Sequence, residues 1–198
     1  MSVADHLIYA LMWFGFALSH SVLAGADVRR GIGRLAGRAH RLVYNALALV
    51  ALLAVLATGR WLVGSALPFV MPLALHWVMN VAVIAGLVLG WVAIRSYHLG
   101  EFIGTAQLRG TDDTAAPLAV SGLHRWMRHP LYSAVLLIVW GMARSELDLA
   151  TACWVTLYLI IGSRVEERRL IAHYGDAYRR YRSATPAFLP RWRWATSG

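Results

Sequence analysis

Between Trp61 and Ile94 the chain carries no charged side chain, and a stretch of that kind has few places to go. Crossing a bilayer core takes about 20 apolar residues in helix, whereas a surface helix of a soluble domain turns a polar face to water. Pro68 and Pro72 break the run, so the helix is expected from about Leu73 to Ile94. Leu7 to Ala24 and Leu42 to Thr58 are two further uncharged runs. Asp5, not a basic cluster, precedes the first, so its pattern is not that of a cleavable signal peptide. Charged residues make up 15% of the chain and apolar ones 59%, which excludes disorder and leaves one membrane domain as the class. The single cysteine, Cys153, excludes an internal disulfide and any cysteine-based zinc or iron–sulfur centre, and no metal is expected.

Two later runs are shorter. Leu131 to Ala143 and Leu149 to Ser163, separated by Arg144, Glu146 and Asp148, both fall below a full span. Tilt, water reaching into the membrane and a buried helical hairpin all account for such lengths; a hairpin turning at Ser145 is favoured. The expected fold is all-α and integral to the membrane: five transmembrane helices, the last two a short hairpin, then a cytoplasmic C-terminal helix. One domain over residues 1–198 is expected, with a three-helix part over 1–97 and an interfacial loop, hairpin and tail over 98–198.

The charge pattern orients it. All 19 Lys or Arg positions are Arg, and the formal net charge is +9. In a soluble chain this suggests nucleic acid. Here the apolar runs gather the cations into clusters, at Arg29, Arg30, Arg34, Arg38 and Arg41 and again from Arg164 onward. By the positive-inside rule both clusters face the cytoplasm, with the N-terminus outside, in a bacterial inner membrane. Membrane lipids are the expected surroundings, with no nucleic acid and no obligate protein partner.

Three constellations can carry chemistry. In Arg128-His129-Pro130 the proline suits the first turn of a helix, and a helix N-terminus beside two bases favours an anion. A membrane-interface anchor, with Trp126 in the aromatic belt, explains the same residues. Glu166-Glu167 is a carboxylate pair suited to an ammonium or to ribose hydroxyls; pairing with neighbours such as Arg169 at i,i+3 is the plain alternative. Tyr174, Tyr178 and Tyr181 recur at helical spacing, so one helix aligns them on a face, although Gly175 weakens its start. A hairpin returns residues near 129 and 166 to one membrane surface, and the tail folds over it. An anion-binding helix end, a carboxylate pair and aromatic walls suit a zwitterion bearing a nucleobase, as S-adenosylmethionine is.

Gly122-Leu123, Arg128-His129-Pro130-Leu131-Tyr132, Glu166-Glu167, Tyr174-Gly175, Tyr178, Tyr181 and Thr185-Pro186 together resemble the isoprenylcysteine carboxyl methyltransferase and phospholipid methyltransferase superfamily. His124 departs from it, standing where that superfamily commonly has Tyr. His20-Ser21, Arg41-Leu42-Val43-Tyr44-Asn45 and Phe102-Ile103-Gly104-Thr105-Ala106-Gln107 resemble its methanethiol S-methyltransferase branch and also NnrU-type membrane proteins. The resemblance implies a membrane methyltransferase that binds S-adenosylmethionine at the cytoplasmic face and releases S-adenosylhomocysteine. It implies a cofactor side over 98–198, with Leu123 (through its backbone), His129, Tyr132, Glu166, Glu167, Tyr178 and Tyr181 in contact with the cofactor.

The three-helix part is then the acceptor side. A thiol acceptor reacts as thiolate, from a pKa of about 8.5 that a nearby cation or base lowers. His20 and Arg41 are the candidates for that catalytic role, and Tyr44, His98 and Gln107 for substrate binding. The expected activity is S-methylation of a small or lipophilic thiol such as methanethiol. A prenylated cysteine carboxylate or a phospholipid amine is an alternative acceptor, and a non-enzymatic NnrU-like protein is an alternative class. His20 with His76 or His98 as a haem clamp is a rival for which no His pair on one helix face speaks.

Overall fold

A computed structural model of the chain describes residues 1–23, 25–64, 67–96, 118 and 120–190, and the statements below concern those residues. Its elements are α1 Val3–Leu23, α2 Ala26–Ala36, α3 His40–Val63, α4 Leu73–Ser96, α5 Pro130–Gly141, α6 Glu146–Tyr174 and α7 Asp176–Ala184, with short 3-10 turns at Gly37–Ala39 and Gly122–Arg125. No strand occurs among the described residues beyond an isolated bridge between Pro68 and Ser145.

The apolar runs become helices, as read, but their lengths differ from expectation at the C-terminal end. Val3–Leu23, Gly31–Val63, Leu73–Arg95 and Glu146–Tyr174 are long and apolar enough to cross a membrane. The fifth apolar helix, α5, has 12 residues, about 18 Å at 1.5 Å per residue, and falls short of a span. Among the described residues there are thus four helices of spanning length and one short one, beside the five spans expected. The hairpin is unequal too: α6 runs for 29 residues instead of stopping with its apolar run at Ser163. Arg164 to His173 contains no glycine or proline, and Arg and Glu are good helix formers, so nothing ends the helix where hydrophobicity ends. Gly175, at φ 56° and ψ −129°, ends it. That same residue overturns the single tyrosine stripe: Tyr174 closes α6, while Tyr178 and Tyr181 belong to α7.

The turn at Ser145 is present. Ser145 Oγ donates to Asp148 Oδ2 at 2.7 Å and accepts the Asp148 N–H at 3.2 Å, a local cap for the start of α6.

The described residues fall into two compact units. One comprises residues 1–70 and 143–154. In it Tyr9, Trp13 and Phe16 form the buried stripe of α1, with rings edge to face at 6.2 and 5.8 Å. A Cβ on Gly59 of α3 would lie 2.8 Å from Tyr9 Cε2 and 2.9 Å from Leu147 Cδ1, so the absent side chain is what lets those groups meet. The phenol of Tyr9 shares a hydrogen bond with Thr151 Oγ1 at 2.9 Å.

The other unit comprises residues 71–97, 114–142 and 155–198, described as far as the ranges above allow. Its centre is the close packing of α4 on α5; the sequence had grouped α4 with the N-terminal part. A Cβ on Gly86 would stand 2.8 Å from the Ala134 carbonyl oxygen, and one on Gly141 would stand 2.7 Å from that of Met79. Small residues let two apolar helices approach backbone to backbone, where dispersion accumulates without help from water. The outward faces stay apolar: Trp77, Val81, Leu87 and Trp91 of α4 are each more than half exposed, as lipid-facing residues are.

Candidate functional site

Adjacent residues on an α-helix point about 100° apart, so the two carboxylates of a neighbouring pair differ in burial. On α6, Glu167 turns inward with 6% of its side chain exposed, while Glu166 keeps 48%. This rotation separates two roles that the sequence assigned together.

Glu167 is taken up by the chain's own cations. Arg128 Nε donates to its Oε1 at 2.7 Å, His129 Nε2 lies 3.0 Å from the same oxygen, and Arg182 Nε reaches Oε2 at 3.1 Å. The two bases that precede α5 are therefore paired with an internal anion. Proline occupies the first position of that helix, as read, and His129 precedes it as the N-cap.

The tail is laced to the same segment. The backbone N–H groups of Arg128 and His129 donate to the carbonyls of Pro186 and Ala187, both at 2.9 Å. Arg128 Nη1 donates to the carbonyls of Arg182, at 3.0 Å, and Thr185. Ser133 Oγ donates to the Phe188 carbonyl at 2.6 Å, and the Tyr181 hydroxyl donates to that of His124 at 2.7 Å. These bonds satisfy backbone groups that a helix start and an irregular tail would otherwise leave open.

Beside this clasp lies the accessible face. The Tyr132 hydroxyl donates to Glu166 Oε2 at 2.9 Å, and His129 Nδ1 stands 3.8 Å from that oxygen. The rings of His129 and Tyr132 are stacked, 5.2 Å apart and 8° from parallel. An exposed carboxylate and the ring of Tyr132 thus adjoin, an acceptor surface suited to hydroxyls or an ammonium on one side and a cationic centre on the other. Glu167, buried and held by three of the chain's own cationic side chains, lies off this accessible face.

Of the remaining candidates, Leu123 sits in the 3-10 turn, where its carbonyl accepts the Trp126 and Met127 N–H groups. Tyr178 is buried at 2% exposure, with its ring 5.7 Å from that of Tyr181. Burial pushes both phenols up to about 12, aided for Tyr178 by the Glu167 charge. Burial also lowers the pKa of His124, the departure from the family pattern. In the other unit, His20 Nε2 and the Tyr44 hydroxyl lie 2.6 Å apart, and Arg41 sits three residues before Tyr44 on α3. His98 and Gln107, with the motif from Phe102, lie outside the described residues. His76 Nδ1 lies 3.3 Å from the Pro72 carbonyl. Among the described residues no three His, Cys, Asp or Glu gather to hold a metal ion.

Sequence reasoning passed over Arg182, the third partner of Glu167, and Phe188, whose ring lies 5.7 Å from that of His129. The fixed backbone at Pro186 and Pro190 was the signal that this stretch is built rather than trailing.

No family model matches the chain, and no solved structure matches it. Methanethiol S-methyltransferase 2 of Bradyrhizobium diazoefficiens is 28% identical over 201 residues, covering 93% of this chain and 73% of that protein. Methanethiol S-methyltransferase of Mycobacterium tuberculosis is 30% identical over 185 residues, covering 88% and 74%. A third such enzyme, from Pseudomonas deceptionensis, is 28% identical over 114 residues, covering 53% and 44%.

Proposed function

The chain belongs to the methanethiol S-methyltransferase family, and on that premise we propose that it moves a methyl group from S-adenosylmethionine to a small thiol at a membrane. When bound, S-adenosylmethionine supplies a methyl on a positive sulfur: the thiolate forms the new S–CH3 bond as the old C–S bond breaks, giving a thioether and S-adenosylhomocysteine, the thiol proton having left to water.

The observation that carries the reading is Glu166. Its half-exposed carboxylate, oriented by the Tyr132 hydroxyl, is free to take ribose hydroxyls or an ammonium. The partly exposed ring of Tyr132, stacked on the buried His129, gives a cation a π surface beside it. Tyr181 and the Leu123 backbone are assigned to the same region, with the buried Tyr178 packed against Tyr181. Glu167 acts one step back: it fixes Arg128 and His129, and through them the tail, so that water is kept from the reacting groups. For His20 and Arg41 the proposed role is to favour the thiolate form of the acceptor. Their replacement together by Ala with full turnover overturns that role.

Calorimetric titration with S-adenosylhomocysteine tests the assignment. Glu166→Gln keeps the shape and the Tyr132 contact but removes the charge, and is expected to weaken binding about tenfold or more. Methyl transfer to methanethiol is expected from the wild-type protein in the same preparation. Unchanged affinity in Glu166→Gln removes the carboxylate from the site.

A further inference from the structure

Behind the polar cluster lies a pocket of about 620 Å3, walled by Ala82 and Leu89 of α4, Leu137 and Trp140 of α5, and Phe188 of the tail. Among the described residues no charged side chain lines it. Its one hydroxyl, Ser133 Oγ, already donates to the Phe188 carbonyl, and the Trp140 indole N–H is given to Thr156 Oγ1 at 3.0 Å. A polar ligand would find no partner there and would lose its hydration for nothing. Water is no better served: the pocket is an open apolar hollow, with Val78, Trp140 and Leu189 exposed along it, and it suits an apolar guest.

Size decides between apolar guests. A water takes about 30 Å3 in the liquid, so a thiol of two heavy atoms fills roughly 60–90 Å3. Pockets of about 300–1,000 Å3 hold molecules of tens of atoms. Methanethiol alone leaves most of this space empty. The pocket also shares a wall with the proposed site: Phe188 lines it and sets its ring 5.7 Å from His129, and Ser133 lies one helical turn beyond His129.

We propose that this pocket receives the hydrocarbon chain of the acceptor, so that the protein methylates alkyl thiols of several carbons in preference to methanethiol. The inference rests on the thiol methylation proposed above and adds the class of thiol. The transfer is unchanged by the chain: R–SH loses its proton to water, its sulfur gains the methyl, and R–S–CH3 leaves with S-adenosylhomocysteine as the second product.

The test is kcat/KM across a series of straight-chain thiols from methanethiol to octanethiol, in one detergent. The wild-type ratio of octanethiol to methanethiol is expected above about tenfold, since each methylene entering an apolar site favours binding. Ala82→Phe fills the pocket and is expected to reduce that ratio at least about tenfold; Ala85→Phe, on the next turn of the same wall, serves if the first fails to fold. Measuring both proteins in the same micelles cancels the partitioning of long thiols into detergent. A wild-type ratio near one overturns the inference while leaving thiol methylation standing, and assigns the pocket to bilayer lipid. A ratio unaltered by either variant overturns it as well, since the chain then sits elsewhere. Absence of methyl transfer to every thiol overturns the underlying function instead.

Discussion

Replacing Glu167 by Ala strands Arg128 and His129 without the carboxylate they share, in a position where both are largely out of water. Removing one member of such a buried group costs about 3–5 kcal/mol. Glu166→Ala removes a half-exposed contact and costs under about 1 kcal/mol. Thermal unfolding in detergent checks the contrast: a large fall in midpoint for the first, little for the second. Ionisation gives a second prediction. Tyr178 and Tyr181 are pushed up to about 12 from 10.0, so the fold favours their protonated forms. Their contribution to stability is complete below pH 10 and is lost as pH rises toward 12. Near-ultraviolet phenolate absorbance is expected to show two tyrosines ionising toward pH 12, with the unfolding midpoint falling over the same range. His124 has the opposite limb. Its lowered pKa means the fold favours the neutral ring, so its contribution is present above pH 6.5 and lost on acidification below it. His124→Asn is expected to flatten that acid limb.

At the scale of elements, the α4–α5 contact sets its own prediction. A methyl on Gly86 meets the Ala134 carbonyl oxygen at 2.8 Å, and a backbone atom cannot swing aside as a side chain does. Gly86→Ala is expected to cost about 1–3 kcal/mol in unfolding measurements. Gly162→Ala, inside α6 with nothing within 4 Å of the added Cβ, is expected to be neutral or stabilising by up to about 1 kcal/mol. These elements also show what the sequence makes legible. The turn at Ser145 was readable because polar residues between two apolar runs leave few alternatives. The end of α6 was misread because hydropathy reports membrane thickness, whereas helix length is set by breakers, and the first breaker beyond Ser163 is Gly175. The Gly86–Gly90 spacing was visible as well, but a small-residue spacing does not name the helix that packs on it.

The whole molecule carries its charge asymmetrically, and that supports an orientation test. In a Cys153→Ser background, Leu67→Cys is expected to react with an impermeant maleimide in intact cells. Arg38→Cys and Ser183→Cys are expected to react only in inverted vesicles or after lysis. Reaction of Arg38→Cys from outside reverses the proposed topology. The membrane class was plain from Trp61 to Ile94 alone, and the motifs did gather His129, Tyr132, Glu166 and Glu167 in one unit. The division of labour between the two carboxylates was not legible, because rotation along α6 separates them and the packed tail decides which is covered. Arg182 and Phe188 escaped for the same reason, since their roles exist only once the tail is in place.

The lacing of that tail has a consequence for divergence. Its acceptors at positions 182 and 185–188 are main-chain carbonyls, which every amino acid carries, whereas the donors opposite include the particular side chains of Arg128 and Ser133. Substitutions at 185 and 187, which give only their carbonyls, are therefore cheap, whereas Arg128 and Ser133 opposite, and Tyr181, Arg182 and Phe188 within the tail, act through their side chains and are costly to change.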